Sequence, residues 1–199
     1  NDRIKDLMKT SEKDFFSWLT SSGDLKREDL NQDMARIQAF YQNNGFIQAR
    51  VGEPKIEFKE DYIDVTVKID EGPQFTVGKV GLKGDLFLPE EQLMAKIQIT
   101  EESFYNREVV RNDVLTLTDL YSDEGYAYAE IAPTIDQNEK DLTVDIVYTI
   151  DKGPLVHFEK IVITGNTKTR DKVIRRELKV YEQEQYSGRL LKRGVRNLY

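Results

Sequence analysis

Apolar residues recur along this chain in two rhythms, one typical of helices and one typical of strands. A helix with a single apolar face is predicted by four residues at i, i+4, i+7 and i+11: Val110, Val114, Leu117 and Tyr121. Gly125 then suits the left-handed position at a helix end. Beyond it, residues 126–136 and 142–151 alternate apolar and polar positions around the polar turn 138–140, which predicts a β-hairpin.

The region before this helix completes a compact unit. Residues 75–83 alternate weakly and predict a strand, and Pro89 suits the first turn of a short helix. The order is therefore β-α-α-β-β between about Gln74 and Pro154. Pro133 lies in the second strand, and because proline has no N–H for an inner ladder, we expect that strand at an edge and the third strand in the centre. We predict an α+β fold, a three-stranded mixed sheet covered by two helices.

The same unit occurs three times. Residues 64–73 return 81 positions later as 145–154, with the same alternation and the same terminal Gly-Pro. A shift of 80 carries the helix containing Tyr41 onto the helix containing Tyr121. The first copy lacks its first strand and the last ends inside its second helix, so we expect a piece of a longer protein. The first strand of the last copy, residues 158–164, is expected to be unpaired in an isolated chain. The predicted domains are the first, middle and last copies, residues 1–73, 74–154 and 155–199.

These motifs resemble a known family. The β-α-α-β-β order, the Tyr-x-x-x-Gly-Phe/Tyr helix ends at 41–46 and 121–126, the Gly-Pro strand exits and Gly165-Asn166 are similar to POTRA repeats, the polypeptide-transport-associated domains of outer-membrane assembly factors. The resemblance covers essentially the whole chain. An insertion containing Trp18 resembles the third of five such repeats, and Gly165-Asn166 followed by 172–178 resembles the fifth.

The resemblance implies a periplasmic scaffold that receives unfolded outer-membrane proteins and passes them to a C-terminal membrane barrel of the same protein. In that family, repeats bind extended chains by adding a strand to a sheet edge, and the repeat nearest the barrel docks accessory lipoproteins. A two-partner-secretion exporter and a passive structural spacer remain alternatives. A cell-division protein with a single such repeat is disfavoured by the three copies.

An edge strand offers unpaired N–H and C=O groups, and main-chain pairing accepts many sequences, as a carrier of varied clients requires. The candidate edge in the first copy is Ala49, Arg50 and Val51, and in the middle copy it is Tyr128, Ala129, Glu130 and Ile131. The alternative is that these are ordinary sheet edges, which prolines predicted to lie within the two edge strands, Pro54 and Pro133, protect from unwanted pairing.

The resemblance implies that the family's partner-facing Arg-Arg-Glu stretch corresponds to the candidate docking residues Arg175, Arg176 and Glu177 in the last copy. Residues 155–199 have a net charge of +6, against −4 for 1–71 and −9 for 72–154. Such a basic segment could meet an acidic partner or anionic lipid headgroups, or it could be a solvated helix face. No basic residue lies three or four positions from Glu177, so we expect its charge to be available to an arginine of a partner, although an ordinary solvated carboxylate is the alternative.

One further cluster of large apolar side chains lies outside the periodic pattern: Phe15, Phe16 and Trp18. An apolar patch of this kind could contact a client or a neighbouring repeat. It could equally pack back onto its own domain.

Composition narrows the chemistry. The chain has 199 residues, a net charge of −7, no cysteine and one histidine. His157 therefore has no partner for a two-histidine metal site, and the even spacing of Gly78, Gly81 and Gly84 fits no phosphate-binding fingerprint. We expect no enzymatic activity and no cofactor, and the acidic balance disfavours nucleic acid. We also expect neither a transmembrane helix nor a signal peptide.

Overall fold

The computed structural model describes residues 23–60 and 63–198, and the elements are numbered within these ranges. The chain forms two compact units. The first comprises residues up to 78 together with 101–109 and 137–144, and the second comprises 79–100, 110–136 and the residues from 145 onward. The middle sequence copy contributes to both units. The domain boundaries at 73 and 154 stay a prediction.

The first unit contains one long helix and four short strands: α1 (Gly23–Asn43), β1 (Arg50–Val51), β2 (Lys55–Phe58), β3 (Ile63–Thr66) and β4 (Ile69–Asp70). Ile37 and Tyr41, four positions apart on α1, are buried together with Ala49. Met34, Phe40, Phe46, Val51 and Ile69 pack against them. The apolar face of α1 is thus covered by the hairpin that follows it.

The hairpin of the first unit consists of two separate antiparallel ladders. Strand β2 pairs with β3, and β1 pairs with β4 through Arg50 opposite Asp70. Residues 52–54 between β1 and β2 belong to neither strand. The prediction that Pro54 lies within a strand is therefore wrong. It lies in the interruption, where its missing N–H removes no ladder hydrogen bond.

Tyr41 ties α1 to the end of this hairpin. Its hydroxyl donates a hydrogen bond of 2.7 Å to Glu71 Oε1, immediately after β4. Burial, and then the hydrogen bond and negative charge of Glu71, raise the pKa of Tyr41 to about 12. The neutral phenol is thus the form that the folded chain favours.

The middle copy has the complete predicted order: β5 (Thr76–Gly84), α2 (Glu90–Met94), a 3₁₀ turn (Ile99–Glu101), α3 (Arg107–Asp123), β6 (Glu130–Asn138) and β7 (Thr143–Asp151). The strands are arranged β5-β7-β6. The third strand is therefore central and the second lies at an edge, as predicted from Pro133.

The sheet of the middle copy is mixed. Thr76 N–H donates to Leu142 O at one end of β5, and Asp85 N–H donates to Ile150 O beyond its other end, so β5 and β7 run parallel. A short turn at 139–142 joins β6 to β7, which makes that pair antiparallel. The predicted three-stranded mixed sheet is confirmed.

A buried carboxylate connects three elements of the second unit. Asp113 on α3 is 1% exposed. It accepts hydrogen bonds from the N–H groups of Gln98 and Ile99, at 2.8 and 3.1 Å, and from the hydroxyl of Tyr148 on β7, at 3.0 Å. A buried charge is tolerated only when its oxygens are paired, and three donors meet that need here. The loop before the 3₁₀ turn is thereby joined to the helix and to the central strand.

The equivalent position of the first copy is also a buried aspartate. Asp33 lies 80 residues before Asp113, is 0% exposed and pairs with Arg36 at 2.8 Å. A polar residue has therefore been kept at one position of an otherwise apolar helix face. This position was not predicted, because the repeat is recognised in the sequence by its apolar residues.

The last copy contains helices α4 (Asp171–Leu178) and α5 (Gly188–Leu198). Residues 158–164, predicted as a first strand that is unpaired in an isolated chain, form no ladder. In the middle copy the equivalent strand, β5, pairs with β7, and residues 158–164 have no such neighbour among the described residues. The segment is held instead by single hydrogen bonds, including Phe158 N–H to Glu184 O at 2.9 Å.

Replacement of Asp113 by alanine is expected to lower the free energy of unfolding by about 3 kcal/mol, because the N–H groups of Gln98 and Ile99 and the buried hydroxyl of Tyr148 lose their acceptor. Urea unfolding of the full chain measures the change. Asn112→Ala, an exposed change on the same helix, is the control. An equal loss of stability in both variants would show that the carboxylate contributes nothing specific.

The raised pKa of Tyr41 gives a signed pH dependence. Its contribution to stability is complete below about pH 10, the ordinary pKa, and is lost as the pH rises to about 12. Phenolate absorbance, compared between the wild type and Tyr41→Phe, should show one tyrosine with a midpoint near 12. Glu71→Gln should move that midpoint towards 10, and a wild-type midpoint already near 10 would contradict the assignment.

Candidate interaction surfaces

The side of β1 that faces away from β4 is the candidate edge of the first copy. A side chain of the same unit binds its backbone groups. Gln38 on α1 donates from Nε2 to the carbonyl of Ala49, and its Oε1 accepts the N–H of Val51 at 3.0 Å. On the other side, β1 pairs with β4. Of the candidate residues, Ala49 is buried, Val51 is half-buried and Arg50 is exposed.

The candidate edge of the middle copy is different. Tyr128 and Ala129 precede β6, whereas Glu130 and Ile131 are its first two residues. Within the described residues β6 pairs only with β7, so its other side is an open edge nine residues long. Tyr128 is 72% exposed and Ile131 is buried at 6%.

Thr118 occupies the position on α3 that Gln38 occupies on α1, 80 residues earlier. Its Oγ1 donates to the carbonyl of Val114 in its own helix, at 2.8 Å. The middle copy therefore has no counterpart of the amide that covers the first edge. Gln38 was not predicted as a functional residue, because it lies at the polar border of the apolar stripe of α1. The mismatch with Thr118 was the available signal.

A recurring backbone contact links each copy to the next. In the first joint, defined by Gly45, Phe75 and Tyr105, Phe75 N–H donates to Gly45 O at 2.8 Å and Tyr105 N–H donates to Phe75 O at 3.1 Å. The second joint repeats both bonds at 2.9 Å, about 80 residues later, with the residues Gly125, Val156 and Tyr186. The first joint lies within the first unit and the second joint within the second.

Both joint glycines have a left-handed backbone, with φ of +86° at Gly45 and +89° at Gly125. A Cβ on Gly45 would lie 2.7 Å from the carbonyl oxygen of Phe75, whereas one on Gly125 would meet the side chains of Leu155 and Gln185. The sequence alone could not distinguish a hinge from a rigid corner at each Gly-Pro exit. These added hydrogen bonds favour a fixed local geometry at each joint.

The candidate docking residues of the last copy are bonded within the chain. Arg175 donates to Asp171 at 3.0 Å, to Glu182 at 3.2 Å and to the carbonyl of Ile161 at 2.8 Å. Hydrogen bonds from the N–H of Ile161 and from Arg175 lower the pKa of Glu182. The Arg175 guanidinium therefore holds the segment before α4 against the helix.

Glu177 was expected to have no basic partner on its own helix, and this was wrong. Arg176 Nε lies 3.1 Å from Glu177 Oε1. The expectation considered only positions three and four residues away, whereas the long arginine side chain reaches its immediate neighbour. Both side chains remain accessible, with Arg176 71% and Glu177 34% exposed.

Among residues 23–60 and 63–198, no group of three or more histidine, aspartate or glutamate side chains is arranged to hold a metal ion. No helix in the same ranges has the length and apolar character needed to cross a membrane. The apolar candidates Phe15, Phe16 and Trp18 lie outside the described residues.

A family model described as POTRA, surface antigen variable number repeat, matches residues 1–72, 75–153 and 156–199. The chain belongs to the POTRA family. Outer membrane protein assembly factor BamA of Nitratidesulfovibrio vulgaris is 34% identical over 199 residues, which is 98% of this chain and 25% of that protein. BamA of Neisseria meningitidis is 34% identical over 190 residues, covering 94% and 24%. This POTRA chain spans about a quarter of the length of these relatives.

A solved structure shares the fold of the whole POTRA chain. The crystal structure of Haemophilus influenzae BamA POTRA3-5 covers 100% of this chain and 78% of its own, with a TM-score of 0.78 at 18% identity. The predicted resemblance to POTRA repeats is confirmed, and the matching structure contains the third to fifth repeats that the sequence resembles. The binding roles of individual residues stay predictions.

The joint glycines of this POTRA chain can be tested against a third glycine. Gly165 has a φ of +80° and open space around its Cβ position, so Gly165→Ala reports the backbone cost alone. Gly45→Ala should destabilise by about 1–3 kcal/mol more, because a backbone carbonyl cannot move aside. Urea unfolding gives the difference, and hydrogen exchange at the Phe75 amide should accelerate. Equal effects at the two positions would argue against a tight first joint.

Proposed function

We propose that the chain is part of the periplasmic arm of an outer-membrane protein assembly factor, and that it acts as a non-enzymatic scaffold. The names of its relatives and the whole-chain similarity to BamA POTRA3-5 support this proposal. In the full-length protein the arm is attached to the outer membrane through a C-terminal membrane barrel. The match to a quarter of each relative leaves room for such a barrel.

The scaffold binds unfolded outer-membrane proteins by strand addition at β6. The observation that carries this proposal is the open edge of β6, from Glu130 to Asn138, in a sheet whose other two strands are paired in the order β5-β7. An added strand is held by main-chain hydrogen bonds, so clients of many sequences can be accepted. Pro133 interrupts the donors of this edge and would limit permanent pairing.

The far end of β6 is partly covered. Gln48 Nε2 lies 3.4 Å from Gln137 Oε1 and 3.3 Å from Glu139 Oε1, within the first unit. The accessible part of the edge is therefore residues 130–136. Ile131 and the residues that follow offer backbone groups there, while the exposed Tyr128 adds apolar surface at its start.

Accessory lipoproteins dock on α4 of the last copy. Of the three candidate docking residues, Arg176 and Glu177 are accessible, whereas the guanidinium of Arg175 is bonded to Asp171, Glu182 and Ile161. A partner that presents its own arginine and carboxylate could exchange with the Arg176–Glu177 pair, since an exposed ion pair contributes little to stability.

The client proposal is tested by an NMR titration of the 199-residue chain with a synthetic peptide from the C-terminal strand of an outer-membrane β-barrel. Amide shifts confined to 130–136 are expected. The control peptide carries N-methyl groups on alternate amides, which removes the donors required for main-chain pairing, and it should cause no shifts.

If the amide chemical shifts of residues 130–136 do not change at millimolar peptide, client binding by this chain is contradicted. The chain would then be better described as a structural spacer, a role that the two hydrogen-bonded joints also suit. Shifts that persist with the N-methylated peptide would indicate side-chain binding in place of strand addition.

A further inference from the structure

We infer that Gln38 is a specificity-determining residue that keeps β1, the candidate edge of the first copy, from accepting an added strand and so directs extended chains to β6. This inference rests on the proposed strand-addition function. It concerns which of two available edges is used, and it is carried by the side-chain amide of Gln38 and by its replacement with Thr118 in the middle copy.

The amide of Gln38 imitates one residue of an incoming strand. In a parallel ladder, a single residue donates its N–H to the carbonyl of residue i−1 and accepts the N–H of residue i+1. Gln38 makes both contacts around Arg50, donating to Ala49 O and accepting from Val51 N. An antiparallel strand needs the same two groups. The side-chain amide of Gln38 therefore makes the hydrogen bonds at the first edge that an added strand would have to make.

The two sides of β1 are distinguished by their partners. Gly52 N–H donates to Lys68 O at 2.8 Å, which directs the even-numbered positions towards β4. Because successive residues of a strand direct their N–H and C=O groups to opposite sides, residues 49 and 51 present theirs to the open side, where Gln38 lies. β1 itself has few other backbone groups on that side, since it contains two residues and is followed by the interruption at 52–54. Gln38 does not cover β2, which pairs only with β3 within the described residues.

The middle copy lacks this device. Ile37 and Tyr41 on α1 are buried, and so are Leu117 and Tyr121 at the same positions of α3, so residues 38 and 118 occupy equivalent places beside their stripes. A threonine side chain is two bonds shorter than glutamine and offers no separate donor and acceptor pair. The hydroxyl of Thr118 is also bonded to Val114 O. Ala129 and Ile131, the counterparts of Ala49 and Val51, therefore face no such amide.

A reciprocal exchange tests the inference in the full chain. Gln38→Thr removes the amide from the first edge, and Thr118→Gln introduces one beside the second. The exposed positions Gln32 and Thr116 give matched controls, as Gln32→Thr on α1 and Thr116→Gln on α3. Each protein is titrated with the outer-membrane strand peptide, and shifts are followed at amides 49–53 and 130–136.

The wild type and both controls should show shifts at 130–136 only. Gln38→Thr should add shifts at 49–53, with binding there roughly tenfold tighter than in the wild type, since two hydrogen bonds no longer have to be displaced. Thr118→Gln should weaken binding at 130–132 by a similar factor. Without peptide, hydrogen exchange at Val51 should accelerate in Gln38→Thr.

Peptide shifts at 49–53 in the wild type, or binding at β6 with no gain at 49–53 in Gln38→Thr, would overturn the inference and leave the proposed function intact. Absence of shifts at both edges in every protein would overturn both. Unchanged Val51 exchange in Gln38→Thr would show that the amide does not cover the edge in solution.

Discussion

Each joint depends on one backbone hydrogen bond. The N–H of a residue near the start of one copy donates to the carbonyl of a glycine in the copy before it. The glycine ends a helix with positive φ, as Gly45 and Gly125 do, and this turns its carbonyl towards the next segment of chain. The carbonyl of the preceding tyrosine accepts two N–H groups of the same turn, from Asn44 and Phe46 in the first case. The Tyr-x-x-x-Gly-Phe/Tyr motif is therefore the chemistry of a joint as well as the end of a helix.

The sequence predicted much of the fold because its signals are local and periodic. The stripe ending at Tyr121 placed α3, the alternation before Asp151 placed β7, and Pro133 placed β6 at an edge. The buried Asp113 and the covering side chain of Gln38 could not be found in this way. Each is a polar residue whose role depends on donors and acceptors that are brought near it only by the folded chain.

Where the sequence pattern alone could not decide the structure, the neighbouring residues in space did. Residues 158–164 alternate like a strand but form no ladder, because a ladder needs a second strand beside the first. The candidate edges of the first and middle copies looked equivalent in sequence. They differ because Gln38 reaches the backbone of β1 while Thr118 bonds within its own helix. Equivalent positions in a repeat can thus have opposite availability to a partner.

The helices of the three copies differ at one repeat position in a way that suits each to its own surroundings. Asp33, Asp113 and Gly194 occupy one repeat position, and a Cβ on Gly194 would lie 1.9 Å from the carbonyl oxygen of Leu178. Moving α3 into the last copy would place a carboxylate where that carbonyl already lies. Moving α5 into the middle copy would remove the acceptor of Gln98 and Ile99. The helices of different copies are therefore not interchangeable, although the copies share one fold.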